Sequence, residues 1–74
     1  MKTRDGRDGL NEYERSILGR VNIWVMDWIC DGGVLPPEVC EADRRQHAGI
    51  ATAADLRVVI AWAEWTAPGT YLSI

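Results

Sequence analysis

Residues 1–9, MKTRDGRDG, show no apolar period; charges of both signs alternate around two Asp-Gly steps, the pattern of a turn or mobile arm. From Asn11 onward the pattern changes. Tyr13, Ile17, Val21, Trp24 and Trp28 recur at intervals of four, four, three and four, which places them on one face of an α-helix. Leu18, Val25 and Ile29 widen that stripe. Asn11-x-x-Glu14 is close to a capping box, and Asp31-Gly32-Gly33 supplies the glycine expected just past a helix end. The pattern therefore predicts a helix from about Glu12 to Cys30, interrupted in propensity by Gly19, which leaves room for another backbone to approach.

Leu35-Pro36-Pro37-Glu38 reads as an extended lead-in to a second helix whose first turn suits proline. The charged stretch that follows, to His47, predicts a short and largely solvated helix ended by Gly49. Thr52-x-x-Asp55 caps a third, roughly Ala53 to Thr66, with Leu56, Val59, Ile60 and Ala63 on one face. Pro68-Gly69 closes it and leaves Thr70–Ile74 as a short apolar tail that docks on the core or pairs as an edge strand. The expected architecture is a small, mostly α, three-helix domain over residues 11–74 preceded by an arm over residues 1–10. A small α+β domain is the alternative, because Val21–Ile29 and Leu56–Trp65 are rich in β-branched and aromatic residues. Asp27 and the helical spacing of the tryptophans argue against it.

Two of these helices are apolar on more than one face. Ile23, Met26 and Cys30 form a second stripe on helix one. On helix three, Val58, Trp62 and Trp65 form another, and Arg57, Ala61 and Glu64 are left as its solvent strip. A helix apolar over most of its circumference is normally buried by several neighbours, and one short chain offers few. The surplus is expected to be covered by a second copy of the chain, by another protein, or by the two tails. The candidate anchors are Ile23, Met26, Trp62 and Trp65, with Arg20 and Arg57 as rim charges.

Composition narrows the chemistry. A chain of 74 residues buries only about 60% of the surface it exposes when unfolded, so one core is the ceiling. Cys30 and Cys40 are nine residues apart with no Cys-x-x-Cys pair, which fits neither a zinc knuckle nor a redox motif. They read as reduced, buried small hydrophobes in a cytoplasmic protein, since the first residues carry charge where a secretion signal needs an apolar run. No apolar run approaches the ~20 residues of a membrane span. A metal and a cofactor are not expected. Neither is an enzyme: the single histidine, His47, is ~10.5 Å along a helix axis from Cys40, and Cys30 reaches it only through tertiary folding.

The net charge of −3 makes nucleic acid an unlikely partner. The runner-up function is nonetheless a small DNA-associated transcriptional regulator, with Arg44, Arg45 and the arm residues Arg4 and Arg7 on phosphates. The leading expectation is a non-enzymatic protein-binding protein. In character alone, a short, Trp-rich, acidic chain resembles the small inhibitors encoded by bacteriophages or mobile elements. Those occlude a host machine such as RNA polymerase, a CRISPR effector or a regulator.

Overall fold

A computed structural model describes residues 9–72. Three helices account for the fold: α1 (Glu12–Cys30), α2 (Pro37–His47) and α3 (Ala53–Thr66). Among the described residues there is no strand, so Val21–Ile29 and Leu56–Trp65 are helical and the α+β alternative falls.

The helix ends sit where the local chemistry sets them. Asn11 accepts from the Glu14 amide at 2.7 Å while Glu14 accepts from the Asn11 amide at 2.9 Å, a reciprocal capping box. Thr52 and Asp55 do the same for α3. Pro37 opens α2 at a position whose amide has no helical acceptor in any case. Beyond α1 and α2 the chain turns through Gly32 (φ 88°) and Gly49 (φ 78°), left-handed backbone that glycine enters without a Cβ clash.

α3 is the shared partner. Both α1 and α2 pack along it, and they barely touch one another. Val21 of α1 and Val59 and Ala63 of α3 are fully buried at the centre, joined by Val39 and Ala42 of α2. Those last two are the buried edge of a second helix that is otherwise largely solvated, as its composition predicts. Their two small side chains let α2 lie close on α3 despite its charged composition.

Both tails contribute to the core. Leu10, assigned to the arm because its neighbours are charged, is buried. The chain is pinned there because Arg57 donates to the Gly9 carbonyl at 2.7 Å and Gly9 lies so close to Ala53 that any Cβ would collide with it. The rest of the expected arm, residues 1–8, lies outside the described residues. After α3 the tail docks rather than pairing as a strand: Leu72 is buried and Tyr71 stands edge-on to Trp24, with ring centres 5.1 Å apart. Trp24, Trp28, Trp62 and Tyr71 form one aromatic cluster, in which Trp28 and Trp62 meet at 88° and 5.2 Å. Trp24 also donates to the Thr66 hydroxyl at 3.0 Å.

Candidate functional site

The second stripe of α1 faces solvent. Ile23 is 55% exposed and Met26 63% exposed, and the Cys30 thiol is open. Ile29, counted by its spacing with the core face, is half exposed and joins them. Neither described tail residue covers this face, since Tyr71 and Leu72 dock elsewhere.

Because α1 and α2 splay apart on α3, the exposed stripe runs into a groove of about 330 Å³. Its α1 wall is Asn22, Val25, Met26, Ile29 and Cys30; its α2 wall is Asp43, Gln46 and His47. The α2 wall was legible only as the i, i+3, i+4 spacing of those three residues, and nothing in the sequence said which helix it would face. At the floor the Gln46 amide donates to Asn22 Oδ1 at 3.0 Å, which ties the two helices together. Among the described residues Gln46 Oε1 is buried without a partner, a cost of about 1–3 kcal/mol.

The groove gathers a thiol, an imidazole and a carboxylate, but not in working order. His47 Nδ1 lies 2.9 Å from the Asp43 carbonyl oxygen and 3.5 Å from its carboxylate, so this nitrogen is engaged within α2. No hydrogen bond links the Cys30 thiol to His47 among the described residues. A nucleophile needs its base within hydrogen-bond reach. Nor does any group of three His, Cys, Asp or Glu side chains among the described residues converge as metal ligands.

The other expected anchors divide. Trp65 is 84% exposed on the outer side of α3, between Val58 and the open end of the helix. Trp62 is not available to a partner: only 8% of it is exposed, and it belongs to the aromatic cluster. Helical phase puts Trp62 at the edge of the buried Leu56, Val59, Ile60 and Ala63 face, and Trp65, about 60° further round, beyond it. Both cysteines are exposed, which corrects the expectation that they are buried; they are free thiols. Tyr13, at the head of the main α1 stripe, is also largely exposed, with its hydroxyl donating to Glu64 of α3.

The charged candidates are mostly occupied. Arg57 grips Glu14 with two nitrogens, at 2.9 and 3.2 Å, clamping the start of α1 to α3. That hydrogen bond, reinforced by the Asn11 amide, holds the Glu14 carboxyl below its ordinary range. Arg57 is therefore engaged within the chain, with about half of its side chain, 48%, still exposed. Arg20 is half-buried beside Tyr71 and has no ion-pair partner among the described residues. Arg44 pairs with Glu41 at 3.1 Å, and Arg45 pairs with Asp55 at 3.0 Å and reaches Glu41 at 3.8 Å. Thr52's amide, ahead of Arg45, keeps the Asp55 carboxyl low. The two arginines expected on phosphates are thus already matched by carboxylates, and Arg4 and Arg7 lie outside the described residues.

No helix among the described residues is long and apolar enough to cross a membrane. Comparison with protein-family models, with curated proteins and with solved structures finds no match.

Proposed function

We propose that this is a small, non-enzymatic protein-binding protein that acts by covering a surface of its partner with the exposed face of α1. The observation that carries the reading is the run of Ile23, Met26 and Ile29 on one helix, each at least half exposed, while the described tail docks elsewhere. Leaving three large aliphatic side chains half exposed or more forgoes about half of the ~1.5–3 kcal/mol that full burial of each would give, and a contiguous patch of that kind usually marks an interaction site. Binding by occupancy fits an inhibitor of the phage or mobile-element type that disables a host machine such as RNA polymerase, a CRISPR effector or a regulator in the cytoplasm. A DNA-associated regulator is the weaker reading, because Arg44 and Arg45 already have carboxylate partners.

The test is Ile23→Glu and Met26→Glu against the core control Val21→Glu, with melting and retention of partners from a bacterial lysate measured for each. The two face variants are expected to stay folded and to lose whatever the wild type retains. The control should unfold, because a carboxylate would replace a side chain with no exposed surface. Unfolding of the face variants, or undiminished retention by them, refutes the proposal.

A further inference from the structure

Resting on that reading, we infer that the occupant of the α1 face is a second copy of this chain, packed antiparallel through α1. Gly19, Ile23, Met26 and Cys30 follow one another at intervals of four, three and four. That alternation of four and three is the spacing of a coiled-coil seam; the same alternation runs through Ile17, Val21, Trp24 and Trp28 on the core side, so α1 carries two such seams and its own chain covers one. Gly19, Ile23, Met26 and Cys30 are all exposed. Gly19 weakens the helix relative to alanine, and among the described residues no atom uses the room: a Cβ there would meet none of them within 4 Å. A facing helix would use it.

Charge selects the second copy and its direction. Arg20 and Asp27 flank the seam on the same edge, seven residues apart. Asp27 is held there by the Tyr71 hydroxyl, which donates to it at 2.9 Å. In an antiparallel pair that sets Ile23 against the second copy's Met26, Gly19 meets the second copy's Cys30 and Arg20 faces the second copy's Asp27. Two-fold symmetry makes that ion pair twice. Slipping the antiparallel register by one heptad would oppose Arg20 to its own symmetry mate. A parallel pair would oppose Arg15 to Arg20. One arrangement of two identical helices is complementary and its nearest competitors are repulsive. A seam of four residues is short, so the dimer should dissociate in roughly the micromolar range.

Sedimentation equilibrium from about 1 µM to 1 mM reads the association directly. Asp27→Arg and Arg20→Asp should each weaken it roughly tenfold or more, and the double exchange should restore it to within about threefold, since the pair is merely reversed. Cross-linking gives the register independently of those charges. In a Cys40→Ser background, mild oxidation should leave the chain uncoupled. Adding Gly19→Cys should yield a covalent dimer bridged between position 19 and Cys30, a bridge that one helix cannot close, because the two positions are about 16 Å apart along it. This second measurement decides the matter if Asp27→Arg unfolds through loss of Tyr71. A wild type that stays monomeric throughout, or a bridge that maps from Cys30 to Cys30, overturns the antiparallel dimer yet leaves a heterologous partner for the same face. Unfolding of Ile23→Glu would instead remove the exposed face itself.

Discussion

Trp62 and Trp65 stand three residues apart on α3, and truncating each to alanine should give opposite results. Trp62 is 8% exposed and meets Trp28 edge-on at 5.2 Å. Its removal deletes nearly all of a side chain that buries on the order of 150–250 Å², which costs about 3–5 kcal/mol once the cavity is included. A chain of 74 residues has a total stability of roughly 4–11 kcal/mol. At about 4–8 °C per kcal/mol, Trp62→Ala should lower the melting temperature by at least ~12 °C, and it unfolds the protein if the wild type lies near the bottom of its range. Trp65 is 84% exposed. Trp65→Ala loses little burial and gains a few tenths of a kcal/mol in helix propensity, so it should move the midpoint by no more than ~4 °C in either direction. Thermal and urea unfolding followed by circular dichroism at 222 nm measure both. A Trp28/Trp62 double-mutant cycle should show coupling of about 0.5–1.5 kcal/mol. Equal losses from the two single variants, or a larger loss from Trp65→Ala, would refute the placement of α3 against α1.

Thr52→Ala should cost about 1 kcal/mol, visible in the urea midpoint, because the Asp55 amide loses its side-chain acceptor while the residue 52 amide keeps donating to the Asp55 carboxylate. Glu14 and Asp55 are both held below their ordinary range, so the stability they contribute is present above the unfolded-state carboxylate values. It is lost as pH falls through the lower folded ones; Arg57→Met should shrink this acid loss without abolishing it, as a pH series of melts would show. Tyr13 and Tyr71 are raised, by hydrogen bonds to Glu64 and Asp27 respectively, so their contribution is full below pH 10 and fades as pH climbs through the higher folded values. Replacing both with phenylalanine should flatten that alkaline limb. Thiol titration of the native protein should count two reactive cysteines without denaturant, and reductant should leave the melting temperature unchanged.

Helix limits were legible because they are decided locally. Asn11 with Glu14, Thr52 with Asp55, Pro37, Gly32 and Gly49 each act through the few backbone groups beside them, and α1 and α3 begin and end where those residues predict. The exposed stripe of Ile23, Met26 and Cys30 was legible for a similar reason: helical phase alone sets it opposite Val21 and Trp28. What the sequence withheld depends on how helices cross. Val58, Trp62 and Trp65 share an apolar arc, and only the approach of Trp28 decides that Trp62 goes inside. Leu10 was hidden by charged neighbours, and the carbonyl just before it is held by Arg57, 48 residues beyond Gly9. The groove's α2 wall and the pairing of Arg57 with Glu14 are likewise properties of assembly, invisible along the chain.

That both α1 and α2 lean on α3 and hardly on each other has a consequence for biogenesis. During synthesis the two dependent helices precede their common support, so neither can gain a stable tertiary partner until residues 53–66 have emerged. The half-made chain would carry the α1 tryptophans and aliphatics with nothing to shelter them. Folding is thereby deferred until residues 53–66 are available, and a fragment that stops before Ala53 should not hold α1 in its folded setting.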